Sequence, residues 1–487
     1  MNFLIPTGVL WYLTIDGTAL TGNEAEQQVN IDENFVRDGC DDTNPDQSAP
    51  LSRRGFIKSA LGVSAAVVAL SGEAFLAGCA KEEDPEIVTL ASKAVQEKDI
   101  PVLKVTKEQI IKAIEFEEVP VEDYLELVAT YYLPAGSLCH QIDSTMALVL
   151  LPGLEGESLR RIGLFDLTNG EVKILVEKPV GSERNVIIYD ARASRTRVIW
   201  VEVNLGELNW KTYVAPIADR AVGKVLLVDE GNANYEPPML AVLENKVYWT
   251  FMPMAAGAAY QEDSYLRTLA ADQDFVTGPA ETRNVFISHG RMITNPCITE
   301  GIITLVPRVD TSNIYYQLTA LRCADDKVVT YQALPQSYRV SDAVYMKQGF
   351  AFGVEYNYTD LGGLSNAGIY HQLPDGNYLY VSKPPTNAIA YFDDHLIVKS
   401  TSSVIGIDPI QRQLFIIRPP RHCGDFGEFL IGSGILNRIV LSSARMREDG
   451  KGPETAIIRI FDKKKPVEEV APENTMDDSG QSRNQGT

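Results

Sequence analysis

The sequence predicts an all-β fold that is built from a repeated unit. Between about residue 118 and residue 462, short runs of β-branched and aromatic residues are separated by Gly, Pro, Asn and Asp, which is typical of strands joined by turns. A strand, a tight turn and a second strand recur there at intervals of about 50 residues. Small sheets of four strands cannot bury their faces alone, so they stack around a channel. We therefore predict a β-propeller over residues 118–465, with seven blades or alternatively six.

The number of blades follows from the turn centres. They lie at Thr168, Ala221, Asp272, Asp325, Asp375, Pro409 and Lys463. Only 34 residues separate Asp375 from Pro409, but this interval still holds four apolar runs, at residues 388–392, 395–398, 403–407 and 413–417. We interpret it as a short blade. The alternative fold, a pair of two-sheet sandwiches, explains neither the period nor the short interval.

Two of the units carry a more specific pattern. Residues 189–202 and 238–249 each combine an apolar strand, a polar turn and a strand that reaches a tryptophan, Trp200 or Trp249. This pattern resembles the repeats of TolB-like propellers. The resemblance covers two units and implies a fold but no site residues.

The last unit lacks a good outer strand. Residues 466–470 contain a proline and two carboxylates, which make a poor strand. The run from Tyr124 to Tyr132 has strand character and belongs to no unit of its own. We predict that this run forms the outer strand of the last blade and closes the ring. It would place the N-terminal linker beside blade seven and leave residues 466–487 as a disordered tail.

An export signal is predicted over residues 52–78. Arg53 and Arg54 are followed by Phe56 and by a Gly- and Ala-rich apolar run that continues to Leu70. These residues resemble the twin-arginine signal of bacteria. A buried amphipathic helix is the alternative, but the run is apolar on all faces rather than on one stripe. Residues 1–51 form an acidic pre-region, which is either removed or lies upstream of the true translation start.

The signal ends in Leu-Ala-Gly-Cys at residues 76–79. This sequence resembles the lipobox of bacterial lipoproteins, which implies that the chain is cut before Cys79 and that the Cys79 thiol is joined to diacylglycerol, whose acyl chains are of the palmitate type. Such chains insert into a bilayer at about 0.8 kcal/mol per buried CH₂. No other stretch reaches the length of apolar sequence that a membrane span requires. We predict a protein anchored to the outer face of a bacterial membrane, at the cell surface or on the periplasmic side.

Residues 79–117 are predicted to be the lipid anchor and a flexible linker. The first part, to about residue 104, is charged and shows no strand pattern. One short helix is predicted at residues 106–114, where Thr106 and Gln109 could form a capping box.

Charge and motifs exclude several functions. The chain has 65 acidic and 44 basic residues, a net charge of -21, which argues against binding nucleic acid. It contains no nucleophile elbow, phosphate loop, HExxH helix, EF-hand loop or CxxC pair. The nearest Gly-rich sequence, Gly432-Ser433-Gly434, is interpreted as a turn or a strand kink.

We predict no cofactor, and we expect a binding or scaffold lipoprotein. An extracytoplasmic enzyme or redox accessory protein with a metal or cofactor at the channel is the alternative.

Two Cys-His pairs would meet if the ring closes. Cys139-His140 begins the first blade, and His422-Cys423 precedes the last blade. Thiols and imidazoles bind soft or borderline metals. Neighbouring residues of a strand point to opposite faces, however, so one pair offers either its Cys or its His. Free buried thiols therefore rank ahead of a Cys139–Cys423 disulfide, and the disulfide ranks ahead of a metal site.

Two further groups of residues are candidates for binding. Acidic residues near the starts of inner strands could line the channel and bind a cation, although solvated turn residues are the interpretation we favour. They are Asp143, Asp190, Asp342 and Asp425. The loop of residues 355–366 is long and rich in aromatic and amide side chains, among them Tyr356, Tyr358 and Asn366. This composition predicts a surface for a protein or carbohydrate ligand. Residues 252–263 form the corresponding loop of the third unit.

Overall fold

The computed structural model describes residues 102–465 with short gaps, together with the backbone of three short strands nearer the N-terminus. The gaps are residues 154–157, 182–184, 255–261, 271–279, 310–314, 337, 356–360, 383–387 and 450–451. Several predicted features lie outside the described residues and stay predictions. They are Arg53, Arg54, Phe56, Cys79, Tyr356, Tyr358 and the tail from residue 466. Within the described residues, no helix is long and apolar enough to cross a membrane.

Six strands precede the repeated region, and only one of them is long. They are β1 (Asn2–Leu4), β2 (Leu10–Tyr12), β3 (Ser92–Lys93), β4 (Ile110–Lys112), β5 (Glu117–Glu118) and β6 (Leu125–Pro134). Strands β1 and β2 pair with each other. The described helices are single 3-10 turns at Lys107–Gln109, Ala113–Glu115, Val121–Asp123 and Gly362–Leu364. The prediction of an all-β fold is confirmed.

The chain forms a β-propeller. Besides the β1–β2 pair, its described residues contain seven sheets that follow one another along the sequence, and the successive strands of each pair in antiparallel register. Sheet 1 consists of β7 (Leu138–Gln141), β8 (Met146–Pro152), β9 (Leu159–Asp166) and β10 (Val172–Val176). Sheet 2 consists of β11 (Val186–Ala193), β12 (Arg197–Asn204), β13 (Asn209–Ala218), β14 (Ala221–Val222) and β15 (Leu226–Gly231). Sheet 3 consists of β16 (Tyr235–Glu236), β17 (Leu240–Leu243), β18 (Lys246–Pro253), β19 (Ser264–Leu269) and β20 (Thr282–Ser288).

The remaining sheets repeat this arrangement. Sheet 4 consists of β21 (Cys297–Thr299), β22 (Ile302–Leu305), β23 (Gln317–Arg322) and β24 (Lys327–Ala333). Sheet 5 consists of β25 (Val340–Met346), β26 (Gly349–Val354), β27 (Gly368–Gln372) and β28 (Tyr378–Val381). Sheet 6 consists of β29 (Ile389–Phe392), β30 (His395–Lys399), β31 (Val404–Asp408) and β32 (Gln413–Ile417). The last described strands are β33 (Phe429–Leu430), β34 (Gly434–Leu436), β35 (Ile439–Met446) and β36 (Pro453–Lys463), and sheet 7 combines β33, β35 and β36 with β6.

The sequence pattern explains the sheets. Strand β30 is buried along its whole length, because it lies between other strands of its sheet and beneath neighbouring sheets. The outer strand β24 instead alternates between half-buried and exposed side chains. The four runs of the short unit are β29 to β32, so this prediction is confirmed. The hairpins β11–β12 and β17–β18 are also confirmed, with Trp200 and Trp249 fully buried.

Apolar side chains pack between neighbouring sheets around the ring. One cluster joins sheets 7, 1 and 2, and includes Val440, Leu148 and Trp200. Five further clusters join sheets 2 and 3, 3 and 4, 4 and 5, 5 and 6, and 6 and 7. Sheets 7 and 1 are also linked by polar contacts, since Arg438 Nη1 donates to Ser144 O at 2.9 Å. The core is therefore a closed series of interfaces between sheets.

The outer strand of sheet 7 comes from the N-terminal side of the ring. Strand β6 pairs in antiparallel register with β36, with Tyr132 opposite Ile457 and Ala129 opposite Ile460. The prediction that the run at Tyr124–Tyr132 completes the last sheet is confirmed. This pairing covers a long strand edge that would otherwise invite pairing with another chain.

Residues 102–118, which we call the strap, lie along the outer edges of sheets 4, 5 and 6. Val102 bridges to Ala333, β4 pairs in parallel with β28, and β5 pairs in parallel with β32. Farther upstream, β3 pairs in parallel with β20 of sheet 3. The prediction of a free linker is therefore wrong for residues 102–117. The prediction that the linker lies beside sheet 7 is also wrong, because the chain pairs with the edges of sheets 3, 4, 5 and 6 before β6 joins sheet 7.

The predicted helix at residues 106–114 is also wrong beyond its first turn. Thr106 N donates to Gln109 Oε1 at 2.9 Å, which is one half of the predicted capping box. The 3-10 turn then ends, and β4 begins at Ile110. The edge of sheet 5 offers backbone partners that replace those of a helix, and this explains the difference.

Candidate functional site

The channel between the sheets contains a cavity of about 700 Å³. Its lining comes from all seven sheets, which places it on the axis of the ring. Sheets 1 to 4 contribute the turns after their first strands, while sheets 5 and 6 contribute Asp342 and Ala388 from the starts of theirs. Small-molecule sites in proteins have volumes in this range. The cavity is the candidate functional site.

Part of the channel is occupied by residues 431–438, which we call the channel segment. This segment joins β33 to β35, and β34 within it pairs in parallel with β29 of sheet 6. Ile435 N donates to Thr299 Oγ1 of sheet 4 at 2.9 Å. The segment therefore extends from sheet 7 to the opposite side of the ring.

Two glycines allow this close approach. A Cβ atom at Gly432 would lie 2.6 Å from Gln141 Oε1, and one at Gly434 would lie 2.6 Å from Thr299 Cβ. Gly434 also has a φ of +79°, which side-chain-bearing residues rarely adopt. The interpretation of Gly432-Ser433-Gly434 as a kink is confirmed. Its contacts with sheets 1 and 4 were not predicted, because they depend on residues distant in sequence.

An ion pair and a histidine lie together on one side of the cavity. Arg192 forms an ion pair with the buried carboxylate of Asp190. The same Arg192 Nη1 atom lies 2.9 Å from His140 Nε2 and donates to Ala191 O at 2.7 Å. Burial, with a further contribution from Arg192, holds the pKa of His140 well below its usual value. His140 is therefore neutral, and its Nε2 accepts from the guanidinium.

One edge of the Arg192 guanidinium is available to a ligand in the cavity. Its side chain is 19% exposed and lines the channel. Every contact that Arg192 makes within the described part of the chain uses Nη1. Nε and Nη2, which lie side by side on the planar group, have no hydrogen-bond partner there. Such a pair of donors matches the two oxygens of a carboxylate.

Asp342 is a carboxylate in the same cavity. It follows a β-bulge in β25, where Oδ1 accepts from Ala343 N and Oδ2 accepts from Ala388 N, each at 2.9 Å. No cationic side chain pairs with it among the residues that the structure describes. Burial raises its pKa to about 6, and the two backbone hydrogen bonds oppose this rise.

Cys297 lines the same cavity as these two groups. Its Sγ is 3.2 Å from Ser433 Oγ of the channel segment. Burial, with a smaller contribution from Asp342, raises the pKa of the Cys297 thiol to about 12, and Ser433 and Arg192 oppose this rise. The thiol is therefore protonated at neutral pH. It is also within electrostatic reach of both Arg192 and Asp342.

The four predicted acidic residues have different surroundings. Asp143 is a turn residue at the cavity, where Oδ1 accepts from Thr145 N at 2.7 Å and Oδ2 pairs with Arg195 Nε at 2.6 Å. Asp425 is exposed in a turn elsewhere. The favoured interpretation, solvated turn residues, is wrong for Asp190 and Asp342, because a β-bulge turns each carboxylate inward.

The two Cys-His pairs do not come together. Cys139 and Cys423 are both free thiols, so the disulfide alternative is wrong for this structure. Cys139 points into the core between sheets, which raises its pKa to about 12, while its neighbour His140 lines the channel. His422 and Cys423 line a second cavity of about 410 Å³ at sheet 7. Within the described ranges, no three His, Cys, Asp or Glu side chains are placed to hold a metal ion.

The described residues of the predicted binding loop, 355 and 361–366, do not line the channel cavity. They lie between the second and third strands of sheet 5, at the end of that sheet opposite its first turn. Asn366 lies in this loop, where its backbone O accepts from Tyr370 Oη at 2.8 Å. The sequence analysis did not single out Arg192. Its place in an apolar strand, two residues before the following turn, was a signal that it could line the channel.

Comparison with known proteins finds distant structural similarities and no family. No family model and no curated protein matches the chain. A puromycin-hydrolysing peptidase of Mycobacterium tuberculosis is 11% identical with a TM-score of 0.39, over 64% of this chain and 50% of that one. A prolyl endopeptidase is 13% identical with a TM-score of 0.39, over 66% and 45%. The β-propeller domain of the trilobed protease from Pyrococcus furiosus is 11% identical with a TM-score of 0.34, over 54% and 79%.

The chain thus spans about half the length of the first two of these structures. Similarity at this level carries no inference about activity. The fold places the chain among the β-propeller proteins.

Proposed function

We propose that the protein is an extracytoplasmic binding protein, held on the outer face of a bacterial membrane by a lipid on Cys79, and that the channel cavity is its binding site. The observation that carries the binding function is the convergence of two groups of opposite charge on one cavity from different sheets. Arg192 keeps two donors without a hydrogen-bond partner in the described residues, and Asp342 has two backbone hydrogen bonds but no cationic partner there. A partly buried charge without a counter-charge is costly, and a ligand that supplies one compensates this cost.

The lining favours binding over catalysis. The imidazole of His140 is occupied by Arg192, and the Cys297 thiol is protonated and contacts Ser433. Neither forms the nucleophile and base pair that covalent catalysis requires.

The alternative function is an enzyme or redox accessory protein with a metal or cofactor at the channel. Stoichiometric metal or a coloured cofactor in the purified mature protein would favour that alternative.

A thermal-shift screen tests the binding function. Small polar ligands, including peptides and oligosaccharides, are added to the full mature protein and the Tm is measured. A true channel ligand should raise the Tm of the wild type but not that of Ala193→Trp, in which an indole fills part of the cavity. Ala218→Trp, at the exposed end of β13, is the matched control. Equal shifts in all three proteins would contradict the proposed site.

We also infer that each of the seven sheets is one blade, so the ring has seven blades rather than six. The support is that every neighbouring pair of sheets, including sheets 7 and 1, shares a packed apolar cluster. An experimental structure with six sheets around the axis would contradict this count.

A further inference from the structure

Two groups of opposite charge face the channel cavity without a complete set of partners. The other charged lining residues are accounted for, because Arg195 pairs with Asp143 while Glu244 and Glu300 are exposed in turns. Arg192 and Asp342 are different. Arg192 presents its Nε and Nη2 donors, and Asp342 presents a carboxylate whose position is fixed by two backbone N–H groups.

The two groups belong to sheets 2 and 5 but reach the same region. Asp342 occupies the position after the bulge in the first strand of sheet 5 that Asp190 occupies in sheet 2, and Arg192 follows Asp190 by two residues. Both Arg192 and Asp342 line the cavity of about 700 Å³, together with Cys297, whose Sγ lies 3.2 Å from Ser433 Oγ. A small molecule in this cavity could therefore contact both groups. The apolar side chains of Leu240, Val242 and Ile435 line the remaining wall.

We propose that the cavity binds a ligand that carries both a carboxylate and an ammonium group, such as a free amino acid or a short peptide. Arg192 binds the carboxylate through Nε and Nη2, and Asp342 binds the ammonium. The apolar wall contacts the side chains of the ligand. This inference rests on the proposed binding function and deepens it by naming the class of ligand.

Charge and size support this class of ligand. A carboxylate and a guanidinium edge form two parallel charge-assisted hydrogen bonds. An ammonium beside Asp342 compensates a carboxylate that is otherwise buried without a counter-charge. The volume of about 700 Å³ leaves room for more than the two charged groups. An uncharged sugar would satisfy neither charge.

The test uses the full mature protein and dipeptides with blocked ends. Ala-Ala, Leu-Leu and Ser-Ser are compared with their N-acetylated and C-amidated forms by titration calorimetry. At least one free dipeptide should bind, and each block should weaken its binding by about tenfold or more, because each removes one charge-assisted contact.

Two variants assign the contacts to residues. In Asp342→Asn, N-acetylation should no longer weaken binding, because the ammonium has already lost its counter-charge. In Arg192→Lys, which keeps a cation beside Asp190, C-amidation should have little further effect. Arg322→Lys is the matched control, because Arg322 pairs with Asp325 at an exposed turn of sheet 4 and does not line the cavity, and it should behave as the wild type.

The outcomes separate the ligand class from the proposed function. Equal binding of free and blocked dipeptides, or no binding of any of them, would overturn the inference. If another ligand then bound the wild type but not Ala193→Trp, the binding function would stand without this ligand class. If Ala193→Trp bound every ligand as the wild type does, the proposed function itself would fail.

Discussion

Asp190 and Asp342 show how similar local sequence leads to different chemistry. Each follows a β-bulge in the first strand of its sheet, and each accepts from the backbone N–H of the alanine that follows it. Asp190 pairs with Arg192, whereas Asp342 accepts only backbone hydrogen bonds. The difference is therefore one arginine, which sheet 2 supplies and sheet 5 lacks.

Asp342 should make the stability of the protein depend on pH. Its pKa rises from 3.8 to about 6 on folding, so the folded state favours the protonated acid. The resulting stabilisation is complete below about pH 4 and is lost as the pH rises through about 6. Cys297, the titratable group beside Asp342, stays neutral in this range because its pKa is about 12.

Asp342→Asn removes this titration. Relative to the wild type, the free energy of unfolding of the variant should increase by roughly 2 to 3 kcal/mol between about pH 4 and pH 7. Urea unfolding at a series of pH values measures the difference. Asp425→Asn, in an exposed turn, is the control and should show no such trend. A difference that does not vary with pH would contradict the prediction.

At the scale of elements, the channel segment depends on its glycines. Gly434→Ala should destabilise the protein by about 2 kcal/mol or more, because the new methyl group meets Thr299 and the φ of +79° is strained. Gly136→Ala separates the two causes, since Gly136 has a φ of +83° with nothing near its Cβ position. Denaturant unfolding should show the larger loss for Gly434→Ala. Equal losses would mean that the contact with Thr299 contributes nothing.

Removal of the N-terminal strand β6 should affect the stability of the ring more than removal of the C-terminal tail. Deletion of residues 119–132 removes most of β6 and should unfold or oligomerise the protein, because it exposes the edge of β36. Truncation after Lys465 should leave the Tm nearly unchanged, since it retains Lys464, whose N donates to Tyr124 O at 2.9 Å. Thermal unfolding and size-exclusion chromatography distinguish the two shortened proteins. The opposite sensitivity would contradict the assigned closure.

The sequence predicted the strands whose side chains form a recognisable apolar run. Short apolar runs between turn residues located β29 to β32 in the short unit, and the strand character of residues 124–132 predicted β6. The strap was missed because β5 is two exposed glutamates that pair through backbone alone. The cavity was predicted only in part. Asp342 was a candidate, but its lack of a counter-charge depends on the fold.

At the scale of the whole molecule, location should depend on residues outside the propeller. We expect Cys79→Ala to abolish palmitate labelling and detergent partitioning while the propeller stays folded, because the variant lacks the acylated thiol. Cys423→Ala, at a partly exposed thiol of sheet 7, is the matched control. Membrane fractionation and labelling measure the result. A Cys79→Ala protein that still incorporates palmitate would refute the proposed anchor.

The export signal makes a separate prediction. Arg53→Lys combined with Arg54→Lys should retain the protein in the cytoplasm without changing its circular dichroism spectrum or Tm. Fractionation of cells that express each form checks this outcome. Unchanged export would contradict a twin-arginine route.

The pairing of β6 with β36 has a consequence for the order of events during synthesis. A ribosome completes β6 long before β36, the strand to which it binds, leaves the exit tunnel. The ring therefore cannot close before β36 has been synthesised, and contacts this distant in sequence slow folding. A twin-arginine route, which carries folded proteins, would then find an acceptable cargo only after β36 has left the ribosome. In such a cell, a chain interrupted before β36 would be left behind in the cytoplasm, so the closing strand would serve as a test that synthesis has passed the last sheet.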